Sequence, residues 1–125
     1  MSLEARRKTG AAGRKAGRRG EILAALLLMA KGYRILGFRL KTPQGEIDIL
    51  ARRGRVLAVV EVKRRSDLIT ALDAVTPDQR RRLTRAAEAL VSHHPALANA
   101  AIRLDLIALA PRQWPRHVPG AWPEG

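Results

Sequence analysis

GEIDILARRGRVLAVVEVKRR, residues 45–65, decides the fold. Two strand-like runs, EIDILA at 46–51 and RVLAVVEVK at 55–63, flank the turn signal Arg52-Arg53-Gly54-Arg55. Apolar runs this short on either side of a glycine turn predict an antiparallel hairpin. Glu46, Asp48, Glu61 and Lys63 do not belong in an oily hairpin. Side chains alternate across a strand, so Glu61 and Lys63 share one face while Val60 and Val62 take the other. If Gly54-Arg55 is the two-residue loop, residues whose numbers sum to 109 face each other. Asp48 then stands opposite Glu61 and Glu46 opposite Lys63, all four on one face. Opposed acids have Cβ atoms ~5 Å apart, and like charges so placed destabilise a sheet. At an effective dielectric of ~20 the repulsion is roughly 3 kcal/mol, which a shared proton or a cation would remove.

Carboxylate oxygens without cysteine or clustered histidine are what Mg²⁺ or Mn²⁺ prefers. Lys63, one pleat away, is placed to orient a water or to meet charge growing on a phosphate. The plainer alternative is a set of cross-strand ion pairs, Glu46 with Lys63 and Glu61 with a neighbouring arginine. The apolar run around Glu61 favours the site, because burying an unpaired charge is costly.

Outward from the hairpin, the period turns helical over about 16–31, with Ile22, Leu26 and Met29 on one stripe and Leu23, Leu27 and Ala30 beside it. A stripe this wide predicts a helix packed deeply on a sheet. Glu21 lies at the edge of that face, able to reach the sheet. YRILGFRL at 33–40 predicts a strand, and TPQG at 42–45 a turn before the hairpin. A short helical piece near 70–75 precedes Thr76-Pro77-Asp78-Gln79, the pattern of a capping box. The helix that follows, 77 to about 92, turns Leu83, Ala87, Leu90 and Val91 inward and Arg80, Arg81, Arg85 and Glu88 outward. His93 and His94 suit its C-terminal end and are assigned no metal. AIRLDLIAL, 101–109, predicts a last strand, with Asp105 as a strand-end or network acid. The order implies one α/β domain over 16–110, a mixed sheet flanked by helices, with a basic arm over 1–15 and a Pro- and Trp-containing tail over 111–125.

Lys and Arg number 24 against 11 Asp and Glu, a net charge of +13 that points to a polyanion, nucleic acid first. With one Tyr, one Phe and two Trp, stacking platforms for unpaired bases are scarce, which favours duplex or branched DNA over single strands. No cysteine is present, excluding disulfides and thiolate metal sites. The longest apolar run, ILAALLLMA at 22–30, is about half of a bilayer span, and no signal-type cleavage site accompanies it. These features predict a cytoplasmic protein without membrane contact.

As an ordered set, Gly20-Glu21, GEIDILA at 45–51, VVEVKRR at 59–65, AVTPDQRRRL at 74–83 and RLDLIAL at 103–109 resemble the YraN-like family of endonuclease-like bacterial proteins. That family is similar to archaeal Holliday-junction resolvases, within the restriction-endonuclease-like, PD-(D/E)xK superfamily. The resemblance covers about residues 13–110. It implies a restriction-endonuclease-like mixed β-sheet flanked by helices and Mg²⁺- or Mn²⁺-dependent hydrolysis of phosphodiester bonds in DNA, branched or junction DNA included. It implies metal ligation by Asp48, Glu61 and the backbone carbonyl of Val62, with help from Glu21. Lys63 would activate the attacking water, and Gln79 would serve the site from its helix. The family usually has Lys in place of Gln79 and Asn in place of Arg39. Arg52, Arg53, Arg64, Arg65, Arg80 and Arg81 are expected to hold the nucleic-acid backbone. A scaffold retained only for binding nucleic acid is the alternative. A symmetric cutter of two strands needs two sites, hence a homodimer, for which the sequence carries no interface signature.

Overall fold

The structure, a computed structural model, describes residues 18–123. The basic arm expected over 1–15 lies outside the described residues. Helix α1 runs through residues 18–30, followed by β1 (Arg34–Thr42), β2 (Gly45–Arg53) and β3 (Val56–Arg64). Two helices, α2 (Leu68–Asp73) and α3 (Pro77–His93), and a 3₁₀ turn (Pro95–Leu97) lead to β4 (Ala101–Leu109) and β5 (Arg116–Val118). The five strands form one sheet in sequence order, antiparallel except where β4 joins β3 in parallel after the helical crossover. A mixed sheet flanked by helices, compatible with a restriction-endonuclease-like fold, is what the sequence predicts.

The central hairpin has the expected register. Ile49 pairs with Val60 and Arg53 with Val56, and Gly54 turns the chain at φ 59°, a conformation that glycine adopts at little cost. Alternation then sorts the core. Ile49, Ala51, Ala58, Val60, Ile107 and Leu109 pack with α1, whereas Leu50, Leu57 and Val59 pack with Leu83, Ala86 and Ala87 of α3. Leu106 and Ala108 meet Ala71 of α2 on that second face. The Thr76 hydroxyl accepts from the Gln79 amide and the Gln79 side chain accepts from the Thr76 amide, closing the capping box at the start of α3.

Two expectations change. The large stripe of α1 does not face the sheet: Ala24, Ala25 and Leu28 are buried, while Ile22, Leu23, Leu26 and Met29 are exposed. Apolar residues surround most of this helix, so periodicity alone could not choose a face. The small side chains win because they let the helix sit close. A methyl group added at Gly20 would come within 2.7 Å of Leu109 Cδ1.

The stretch after residue 110 contributes a strand, β5, that pairs with β4 from Leu106↔Val118 to Ala108↔Arg116. With three residues it shows no period. It is held by chemistry: fully buried Asp105 accepts from Arg103 Nε and Nη2 (both 2.7 Å), His117 Nε2 (2.8 Å) and the Gly120 amide (3.0 Å). Arg103 also donates to the Tyr33 hydroxyl, and Lys31 Nζ donates to His117 Nδ1. Asp105 is thus the centre of a network joining the α1–β1 connection, β4 and β5. Among the described residues no helix is long and apolar enough to cross a membrane.

Candidate active site

The β2–β3 pairing runs from the Gly54 turn to Ile49↔Val60 and stops there, just before the acids. In place of a further ladder bond, the Val62 amide donates to Asp48 Oδ2 at 2.9 Å. The alternation also breaks at this point. Ile47 joins the α3 side of the core although Ile49 lies on the α1 side, so β2 twists at Asp48 as it leaves β3. The strands splay, and the opening is a cleft of 230 Å³ lined by Gly20, Glu21, Asp48, Val62, Lys63, Arg64 and Leu109. It lies at the carboxyl ends of the parallel pair β3–β4, where open α/β sheets commonly receive ligands.

Asp48 and Glu61 are brought side by side. Glu61 is only 7% exposed, and its Oε1 is buried without a hydrogen-bond partner. Burial, then the adjacent Asp48 charge, pushes the Glu61 carboxyl up to about 8, against the partial relief of Lys63. Asp48 is also raised, by burial first, offset in part by the Val62 amide and Lys63. Two neighbouring carboxyls that both resist ionisation, one with an orphaned oxygen, are deficient in cation.

Glu21 reaches the cleft from α1, because the close approach at Gly20 brings the start of that helix over the strand ends. One of its oxygens accepts from Arg39 Nε at 2.9 Å. Sequence reasoning missed this pair. Arg39 has φ 49°, left-handed backbone that Asn tolerates better than a long side chain.

Other expected members stand elsewhere. Glu46 is exposed and faces Lys41 across β1–β2; among the described residues it forms no ion pair with Lys63, because the strands have already parted. Gln79 is not among the residues lining the cleft, and its side chain closes the α3 cap. The donor set fits a hard divalent ion that keeps several waters: Asp48 and Glu61 side by side, with Val62 at the cleft wall. Among the described residues no group of three His, Asp or Glu side chains forms a ready ligand cage.

Residues 20–109 match the family described as Uncharacterised protein family UPF0102. The chain belongs to family UPF0102. It is 62% identical to a UPF0102 protein of Caulobacter vibrioides, over 98% of each chain. A UPF0102 protein of Parvibaculum lavamentivorans is 52% identical over 91% of this chain and 86% of its own. One of Methylorubrum extorquens is 49% identical over 82% of this chain and 80% of its own. The UPF0102 match begins at Gly20, the close-approach glycine, and ends at Leu109, its contact across the cleft.

The six arginines expected to hold a backbone occupy three places in this UPF0102 chain. Arg64 lines the cleft, next to exposed Arg65 at the end of β3. Arg80 packs over Trp122 and donates to the Val75 carbonyl, and Arg81 pairs with Asp78, so α3 uses both locally. Arg52 and Arg53 lie at the turn end of the hairpin, with Arg34, Gly32 and Gly54, around a second cavity of 320 Å³. Arg34 and Arg52 are direct cross-strand partners, like charges that repel. Arg52 is held by the Gly54 and Ala96 carbonyls, and Arg53 by the Lys31 carbonyl and the Tyr33 ring face. The part of Arg34 in this basic pocket was not legible in the sequence, because it depends on the strand register.

Proposed function

We propose that this protein is a divalent-metal-dependent endonuclease of PD-(D/E)xK type that hydrolyses phosphodiester bonds in DNA, duplex or branched. The observation that carries the reading is the Asp48–Glu61 pair: Asp48 lines the cleft with Lys63, and Glu61, buried and with one oxygen unpartnered, lies against it. Asp48 and Glu61 would hold Mg²⁺ or Mn²⁺, with the Val62 carbonyl completing the protein ligands. When bound, the ion supplies Lewis-acid neutralisation of phosphate charge and lowers the pKa of a coordinated water.

The chain's own groups do the rest. Glu61 must release the proton it keeps at neutrality, which makes its charge available only with a cation beside it. Lys63 Nζ orients the attacking water or donates to a non-bridging phosphate oxygen as charge grows there. Asp48 is fixed by the Val62 amide, so its second oxygen is presented in a constant direction. Arg64 positions the scissile phosphate at the cleft wall.

A second reading, a nucleic-acid-binding module without turnover, is favoured by the Glu21–Arg39 pair, which occupies one oxygen of the third carboxylate. Cleavage of labelled duplex, nicked, flap and four-way DNAs with Mg²⁺ or Mn²⁺ separates the two. The nuclease reading expects metal-dependent cleavage that falls at least ~100-fold in Asp48→Asn and Glu61→Gln, a loss the size of one strong electrostatic contribution. Binding without cleavage, or cleavage that survives both substitutions, leaves the binding module. A readout free of turnover is thermal stabilisation by Mn²⁺, which both variants should lose.

A further inference from the structure

The outward face of α1 carries Ile22, Leu26 and Met29, each 56% exposed, and Leu23, 48% exposed. Helix faces turned to water are normally polar, and this one is apolar over about two turns. On one flank it continues across a cavity of 260 Å³, lined by Ile22 and Phe38, onto β1, where Phe38 is 46% exposed. On the other flank a groove of 490 Å³, lined by Leu23, Leu26, Leu27 and Pro115, leads to Trp114, which is 92% exposed. Phe38, Ile22, Leu26, Leu23 and Trp114 thus form one strip, with charged Arg18, Glu21 and Arg39 lining the cavity at the Phe38 end.

At roughly 100 Å² for each half-exposed side chain and more for Trp114, the strip exceeds the ~300–600 Å² patch of ordinary monomers. It approaches the ~800 Å² that each partner of a standard interface buries. The composition of the remaining residues does not match an apolar strip. Residues 1–17 hold Met1 and Leu3 as their only large apolar side chains, among five basic ones, and residues 124–125 are Glu-Gly. Among the described residues, no cation lines the groove of Leu23, Leu26 and Leu27. A projecting ring and an open groove lie together on one surface, the self-complementarity that a two-fold interface requires.

We propose that the protein is a two-fold homodimer in which α1 of one copy packs on α1 of the other. Trp114 of each copy seats in the Leu23–Leu26–Leu27 groove of its partner. Because Glu21 is on the same helix, the dimer fixes the two clefts relative to each other. The second copy also closes over the cavity between Ile22 and Arg39, beside each Glu21. The proposal does not depend on the nuclease reading.

The charge gives the dimer a distinctive signature. Two copies at +13 repel, so an apolar dimer tightens as salt screens them, whereas assembly bridged by nucleic acid loosens. Sedimentation velocity of the full chain, freed of nucleic acid by nuclease and high salt, tests it at 0.1 and 0.5 M NaCl without metal. The expected mass is twice the 13.8 kDa chain, with the dimer more populated at the higher salt. Leu26→Glu should weaken dimerisation at least 100-fold and Trp114→Ala at least 10-fold. Both positions are exposed in the monomer, so circular dichroism and thermal melting should show the fold retained. A wild-type monomer at 0.1 mM in 0.5 M NaCl overturns the proposal, as does a dimer indifferent to Leu26→Glu.

Discussion

Glu61 is a carboxyl that its surroundings hold in the protonated form. Its affinity for the proton is raised to about 8 by burial and by Asp48. The folded protein therefore holds a proton there that the unfolded chain releases near the ordinary glutamate range. This contribution to stability is fully present below about 4.5, and is lost as pH rises toward 8, at about 1 kcal/mol per pH unit. Chemical denaturation between pH 5 and 9 should show that decline in the wild type and a flatter profile in Glu61→Gln, which carries no proton to lose. Mn²⁺ competes with the same proton, so its stabilising effect should grow over that interval and be absent from the variant. Arg39 adds a second residue-scale prediction. Arg39→Asn introduces a side chain better suited to φ 49° and releases Glu21 from its ion pair. Titration calorimetry with Mn²⁺ should find binding at least several-fold tighter in that variant. Weaker binding would mean that Arg39 orders the site and does not compete with it.

Among the elements, the hairpin was legible and α1 was not, for opposite reasons. Strand alternation and a glycine turn fix register locally, so the opposition of Asp48 and Glu61 could be reasoned from numbering alone. The splay that follows Ile49↔Val60 could not, and Glu46 was therefore paired with the wrong partner. Helix α1 is apolar nearly all round, and its buried face was decided by steric access at Gly20, a tertiary fact. The cap of α3 was visible as Thr76-Pro77-Asp78-Gln79 because its chemistry is contained in four consecutive residues. Gln79→Ala should cost about 1 kcal/mol or less of stability through the cap, read by denaturant midpoint, and leave Mn²⁺ stabilisation intact. β5 was invisible because its anchor, Asp105 with Arg103, His117 and Gly120, joins residues distant in sequence. Burial raises the Asp105 carboxyl's proton affinity, but those donors outweigh it and hold the group below the usual carboxylate range. Asp105→Ala would strand Arg103 in a half-buried setting and should cost about 3–5 kcal/mol. Hydrogen exchange should then show residues 116–118 losing protection first, and a uniform loss across the sheet would argue against a local anchor.

At the scale of the whole molecule, six of the basic residues behind the net charge of +13 lie on the hairpin, grouped at its two ends. Arginines gather around the Gly54 turn, the carboxyl pair sits at the other end, and Arg64 and Arg65 follow it. A polyanion along this axis would meet cations at both ends. Its affinity should fall steeply with salt, and Arg34→Ala should reduce the log–log slope by about 1, the effect of one phosphate contact. Arg116→Ala, on the opposite edge strand, removes the same charge and should leave the slope unchanged. The parallel pairing of β3 with β4 bears on how the molecule is made. The two hairpins that supply Asp48 and Glu61 need only nearest-neighbour contacts along the chain, but β4 must return across residues 65–100 before it can dock. Loop closure of that length delays the reward of pairing. The carboxyl pair should accordingly assemble early, and the wall at Leu109 late. In stopped-flow refolding, Ala58→Gly in the hairpin should slow folding, whereas Leu106→Ala in β4 should chiefly accelerate unfolding.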